Sequence, residues 1–166
     1  MEKLNPRLAA LSSKSDAANL AKILGDVYNR LNSVLLKTGT LAISATTTLV
    51  KTTNASVISA QGIIRSFAAA DLPVLSGVIT TGYSNVAVFS VDKAGTAYTQ
   101  MGTQATTLAG VKFPNVPPTR AILGFVVIAN ATGSDFTCNT TALSAGSVTT
   151  TYVDTLGAFD PNAALA

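Results

Sequence analysis

The sequence has no His, no Trp and only one Cys among its 166 residues. Without His, the chain lacks the commonest general base and the commonest ligand of transition metals. A single Cys excludes an intramolecular disulfide and a metal site built from several cysteines. Cys138 lies in a strand-like stretch with no His to activate its thiol, which indicates a buried small side chain. We therefore expect no cofactor and no metal.

Charged residues are also scarce, at 11% of the chain against about 25% in ordinary soluble domains. So few charged residues cannot cover the surface of a monomer as they do in ordinary soluble domains. We infer that contacts in an oligomer cover part of the surface. Two acids suffice for a glycosidase, but Asp92, Asp135 and Asp160 occur in turns or before Pro, where Asp typically binds the backbone. We therefore predict a protein that is not an enzyme.

Long hydrophobic runs and targeting signals are missing as well. The longest apolar stretch, residues 121–129, holds nine residues, whereas a membrane-spanning helix needs about 20. Residues 1–7 do not form the basic segment that, followed by an apolar one, marks a secretory signal peptide. We expect synthesis in the cytoplasm and no contact with a membrane.

Basic residues are concentrated in the first part of the chain. Residues 1–65 contain eight Lys or Arg against three acids, and residues 66–166 contain three against five. The basic residues are spaced singly, without a cluster or interleaved aromatics, so direct binding of nucleic acid is not indicated. An acidic protein surface fits this distribution as a partner.

A heptad-like pattern follows the first 13 residues. The S-x-x-D arrangement of residues 13–16 is typical of a helix start, and Gly39 of a helix end, so we predict a helix over residues 14–38. Its apolar stripe either packs on the chain's own sheet or joins a self-associating bundle, and β-branched Val at heptad position d disfavours a dimer. The second alternative predicts a trimeric coiled coil, with these oligomerisation residues: Leu20, Leu24, Val27, Leu31 and Val34.

After Gly39 the period of the pattern changes to two, with short Thr- and Val-rich segments separated by Gly, Pro and Asn. We predict a β-rich connecting region over residues 39–73 and a C-terminal β-sandwich domain over residues 74–166. Residues 86–101 resemble a hairpin that turns at residues 92–95, and residues 119–129 predict a central strand covered on both faces. The fold class is mainly β: an N-terminal α-helix followed by an antiparallel β-sandwich or barrel. Phe159, in the tail, is predicted to fill a hydrophobic site on its own subunit or a neighbour's.

Three segments of the C-terminal half carry a resemblance to a known class of proteins. They are residues 120–128 (RAILGFVVI), residues 135–143 (DFTCNTTAL) and residues 153–161 (VDTLGAFDP). In these strand and turn patterns the region from about residue 74 to 161 resembles small virion structural proteins of tailed bacteriophages, which decorate capsids or form short head fibres. The order of basic arm, heptad helix and Thr-rich β-region is similar to the layout of trimeric phage fibres. No binding residue carries over from the resemblance.

The resemblance implies a capsid decoration or head-fibre protein on the virion exterior, made in the host cytoplasm, with itself and the major capsid protein or other virion proteins as partners. In this interpretation residues 1–13 form a capsid-docking arm, and the β-domain projects. A tail-fibre or receptor-binding adhesion module that recognises host surface glycan is the alternative, although the chain has no Trp platform for a sugar. A major capsid protein and an enzyme fit less well. The arm residues expected to dock are Lys3, Leu4, Arg7 and Leu8.

Overall fold

The computed structural model describes residues 14–157, in which one α-helix precedes a set of antiparallel β-strands. Helix α1 spans Lys14–Leu31. The strands that follow are β1 Val34–Lys37, β2 Leu41–Ile43, β3 Val50–Thr52, β4 Ser56–Ala60, β5 Ile63–Phe67, β6 Val78–Ile79, β7 Tyr83–Val91, β8 Ala97–Met101, β9 Ala121–Asn130, β10 Phe136–Thr137 and β11 Val148–Asp154. The prediction of a mainly β chain with an N-terminal helix is confirmed.

Helix α1 ends at Leu31, seven residues before the predicted end at residue 38. The side-chain amide of Asn32 donates to the Tyr28 carbonyl at 2.9 Å and closes the last turn. The chain then enters β1, where Leu35 is only 1% exposed, because burial of this side chain among the strands outweighs one more helical turn. The prediction that Val34 belongs to the helical stripe is therefore wrong: Val34 pairs with Ser59 of β4. With 18 residues at about 1.5 Å each, the helix is about 27 Å long.

The strands form one four-stranded sheet, one three-stranded sheet and two strand pairs, all antiparallel. The four-stranded sheet has the order β11-β9-β7-β8, so β9 is central, as its apolar sequence predicts. Strands β7 and β8 form the predicted hairpin. The three-stranded sheet has the order β1-β4-β5, and β2 pairs with β3 and β6 with β10. The described strands do not close into a barrel. Of the two predicted architectures, sandwich and barrel, the sandwich-like arrangement therefore remains.

A single large core joins the two β-regions that the sequence analysis separates at residue 73. Leu41 and Ile58, from the region 39–73, pack in the same cluster as Phe89, Leu123 and Ile128 from the C-terminal region. Region 39–73 therefore contributes strands and core side chains to the same body rather than only connecting two parts.

A second, smaller cluster lies on the other face of the four-stranded sheet. Val88 of β7 and Phe125 of β9 are covered there by Val111 and Val116, which belong to the loop between β8 and β9. Phe113 of the same loop packs edge to face on Phe125, with ring centroids 5.1 Å apart. The loop is thereby held beside the last turn of α1, where it forms part of the surface described next.

Helix α1 does not meet the length and hydropathy that a membrane-spanning helix requires, nor does any other helical segment in residues 14–157.

Candidate interaction surface

The apolar side of α1 is exposed from Leu20 to Leu31. Leu24 is 59% exposed and Leu31 is 65% exposed, values typical of polar surface residues. No strand packs along the helix in the part of the chain that the structure describes. Of the two alternatives left by the sequence, packing of this stripe on the chain's own sheet is therefore wrong.

The exposed apolar residues of α1 share one face because they recur at intervals of three and four. Ile23 and Tyr28 flank this face and are exposed as well. The predicted oligomerisation residues therefore lie together, except Val34, which belongs to β1. We call this face the α1 stripe: Leu20, Leu24, Val27 and Leu31.

Helix α1 is attached to the β-strands at its C-terminal end. The Arg30 guanidinium donates through Nη2 to the Val116 carbonyl at 2.8 Å. The Asn32 carbonyl accepts hydrogen bonds from the Ser59 hydroxyl, at 2.9 Å, and from the Gly62 amide, at 3.1 Å. These contacts hold the last turn, while the preceding turns of the helix extend away from the sheets.

The β4–β5 hairpin extends the apolar surface beyond the helix. Its turn, Gln61-Gly62, has positive φ at both residues, which is typical of a tight type I′ turn, and the Gln61 amide donates to Ser33 Oγ at 3.1 Å. Strand β5 then forms the edge of its sheet, with Ile63 and Ile64 exposed. An apolar edge strand with unpaired backbone groups is a template for association with another chain. The helix end and this edge therefore offer neighbouring apolar surfaces.

A groove lies where Arg30 of α1 meets the loop between β8 and β9. Its volume is about 210 Å³. A second, more open cleft of about 340 Å³ shares Arg30 and Asn115 with the groove, and Asp26, Val27 and Pro118 complete its lining. The residues that line the groove are Arg30, Val88, Phe113, Pro114, Asn115, Val116 and Ile122.

The acids of the β-strands and turns are used in local structure. Asp92 Oδ1 accepts hydrogen bonds from the Ala94 and Thr96 amides, at 2.8 and 2.9 Å, and the Tyr98 hydroxyl donates to Asp92 Oδ2 at 3.0 Å. Asp135 Oδ1 accepts from the Thr81 amide at 2.9 Å. The prediction that Asp92 and Asp135 bind the backbone of turns is confirmed, whereas Asp160 lies outside the described residues.

The hydrogen bonds at Asp92 also determine its charge state. Desolvation, the largest single effect, would raise the pKa of Asp92, but hydrogen bonds from Thr96, Tyr98, Ala94 and Gly95 together outweigh it and hold that pKa below its ordinary value. The bond to Asp92, together with burial, in turn raises the pKa of the Tyr98 hydroxyl. The Arg120 guanidinium lies 3.6 Å from the centre of the Tyr98 ring. This cluster stabilises the β7–β8 hairpin.

Cys138 is buried, and the burial raises the pKa of its thiol, so the prediction of a buried small side chain is confirmed. Within residues 14–157, no three His, Cys, Asp or Glu side chains come together as a metal site would require.

The amino-acid sequence predicts part of this surface. The docking residues predicted in the arm, Lys3, Leu4, Arg7 and Leu8, lie outside the described residues. The exposed edge at Ile63 and Ile64 was not predicted. The sequence does contain a signal for it, because two adjacent Ile residues without polar alternation indicate a strand that is not half-buried. The groove at Arg30 was also missed, because its walls come from segments far apart in the chain.

Comparison with known proteins identifies no relative: no family model, no curated protein and no solved structure matches this chain.

Proposed function

We propose that this chain is a non-enzymatic structural protein of a bacteriophage virion, which decorates the capsid surface as a head-fibre or cement protein and assembles as a homotrimer. The observation that carries the proposal is the α1 stripe, which is apolar, regular and left uncovered by the chain's own strands. The scarcity of charge, 11% of the residues, supports burial of surface in an assembly.

Exposure of the stripe favours association for two physical reasons. Burial of apolar surface contributes about 25 cal/mol per Å², and four stripe residues are each at least one-third exposed. An isolated helix of fewer than about 12–15 residues is marginal in water, and longer ones still depend on packing for most of their stability. A bundle of α1 copies supplies that packing.

The pattern within the stripe favours three copies over two. In the heptad that the stripe defines, Leu24 and Leu31 occupy position a, while Leu20 and Val27 occupy position d. Leu at a with a β-branched residue at d shifts the preference of parallel coiled coils from dimers towards trimers or tetramers. The absence of Val34 from the helix leaves Val27 as the β-branched residue that supports this preference.

The arm and the β-strands would then lie at opposite ends of the bundle. The arm, residues 1–13, precedes the helix and contains two basic residues against one acid, which suits an acidic protein shell. The β-strands follow the helix and would project from the capsid. Removal of residues 1–13 is expected to abolish binding to purified shells of the parent phage and to leave the solution mass unchanged. Retained binding would contradict the assignment of the arm.

Solution mass tests the assembly directly. The full chain is expected to have three times the mass of one 16.9 kDa chain by light scattering. The double substitution Leu24→Asp and Leu31→Asp is expected to reduce it to the mass of one chain, because it buries two charges in any stripe-to-stripe contact. Helical circular dichroism is expected to fall in the same variant.

Lys22→Asp is the matched control, because it changes the net charge by the same two units on the opposite side of the helix. The control is expected to retain the mass of the trimer. A single-chain mass for the unsubstituted protein would contradict self-association, and a mass unaffected by the double substitution would remove α1 from the interface.

A further inference from the structure

The groove beside Arg30 has the size and lining of a site for one aromatic ring. Its deeper walls are the apolar side chains of Val88, Val116 and Ile122, with Phe113 at one side. A cavity of roughly 150 Å³ with such walls holds benzene, and this groove measures about 210 Å³. Arg30 places a positive charge at the rim.

The last described residues contact first a residue of the groove wall and then strand β1. Thr155 Oγ1 donates to the carbonyl of Ile122, a residue of the groove wall, at 3.0 Å. Gly157 then forms an antiparallel bridge with Leu35, its amide donating to the Leu35 carbonyl at 3.0 Å. Leu35 lies four residues after Leu31, the last residue of α1, so this antiparallel bridge brings Gly157 close to the helix end in the sequence of the paired segment.

The residues that follow Gly157 have the chemistry that the groove requires. Phe159 and Asp160 come two and three residues after Gly157, lengths of chain that span at most about 7 and 11 Å. Phe159 supplies a ring, and Asp160 follows it with a carboxylate. Within residues 14–157, one guanidinium hydrogen bond of Arg30 goes to Val116, and a guanidinium carries five N–H donors. The more open cleft, lined by Asp26, would repel the same carboxylate.

We propose that the groove is the binding site for residues 158–161 of the same chain, with the Phe159 ring between Val88 and Ile122 and the Asp160 carboxylate at Arg30. The segment binds its own subunit because Gly157 already lies on Leu35 of that subunit. Bound there, it ties α1 to the four-stranded sheet and sets the direction in which the helix leaves the strands. The proposal is independent of the virion role.

Methyl resonances of the groove test the position of the ring. In the full-length protein, Phe159→Ala is expected to shift the methyl signals of Val88, Val116 and Ile122, because the ring current of a bound phenyl group is lost. Leu165→Ala is the control, since it shortens an apolar side chain of the same tail beyond the segment, and it is expected to leave those signals in place. Unchanged groove signals in Phe159→Ala would overturn the proposal.

Disulfide formation tests whether the segment binds its own subunit. In a Cys138→Ala background, the pair Arg30→Cys and Asp160→Cys is expected to cross-link within one chain under mild oxidation. The control pair is Lys37→Cys with Asp160→Cys. Lys37 is exposed and lies close in sequence to Leu35, so an unbound tail that starts at the Gly157–Leu35 bridge would also reach it. The first pair is expected to form its bond at least about tenfold faster, since a bound segment raises the effective concentration. Equal rates, or cross-links only between chains, would overturn the proposal.

Discussion

Helix α1 and the four-stranded sheet are both rich in apolar residues, yet their surroundings differ completely. Strand β9 is buried over nearly all of its ten residues, whereas the α1 stripe is exposed. The difference follows from the backbone. A strand satisfies its amide and carbonyl groups only through neighbouring strands, so β9 is drawn between β7 and β11. A helix satisfies most of these groups internally, so α1 extends into solvent with its apolar face free for another chain.

The largest expected effect is a contrast in stability between one core residue and one stripe residue. Phe89→Ala removes a ring that is 1% exposed and is expected to lower the free energy of unfolding by about 3–5 kcal/mol. Leu24→Ala removes a side chain that is 59% exposed, and its expected cost in the dissociated chain is within about 0.5 kcal/mol. Urea unfolding at a concentration that yields the mass of one chain measures both. A comparable loss for Leu24→Ala would mean that α1 packs on its own strands.

The same substitution at two glycines is expected to have opposite signs in the two regions. A Cβ at Gly124 of β9 would lie 2.7 Å from Leu41 Cδ1 and would also clash with the Val153 carbonyl of the paired strand. Gly124→Ala is therefore expected to destabilise by about 1–3 kcal/mol. A Cβ at Gly25 of α1 meets nothing within 4 Å, and Gly25→Ala is expected to stabilise the helix by up to about 1 kcal/mol.

Thermal unfolding followed by circular dichroism compares the two glycine variants. The mass of each variant is checked in parallel, because a Cβ at Gly25 could also affect the assembly. Destabilisation by Gly25→Ala without a change in mass would show that α1 is packed more closely than the structure indicates.

The smallest expected effect concerns the pH dependence of the sheet. The pKa of Asp92 is lowered in the folded chain, so its ionised form stabilises folding at pH values above its unfolded-state pKa, about 3.9. This contribution is lost as the pH falls through the lower folded-state pKa. Asp92→Asn is expected to cost up to about 1 kcal/mol near pH 7, and the difference from the unsubstituted protein is expected to shrink below pH 4. A cost that stays constant down to pH 2 would contradict the role of the charge.

Local signals made much of the sheet predictable. The β7–β8 hairpin was predicted from alternation and from the Asp-Lys-Ala-Gly turn, and Asp92 caps that turn. The central position of β9 was predicted from a run with no polar residue, since only a strand covered on both faces tolerates one. These features depend on neighbours within about ten residues of each other.

The parts that were not predicted depend on distant contacts. The end of α1 at Leu31 follows from the burial of Leu35 among strands that include β4, more than 20 residues later. Region 39–73 shares its core with strands β7 and β9, which no local pattern indicates. The groove at Arg30 combines the helix end with a loop whose Val116 lies 86 residues further along the chain.

Which side chains share a face follows from the local sequence, because helical and strand periodicities are local properties of the backbone. The local sequence thus specifies the apolar stripe of α1 and the apolar character of β9. Which of these faces are covered depends on the fold, since burial requires a partner surface from elsewhere in the chain. For β9 that partner is supplied by β7 and β11. For α1 the described strands supply none, and the apolar stripe remains on the surface.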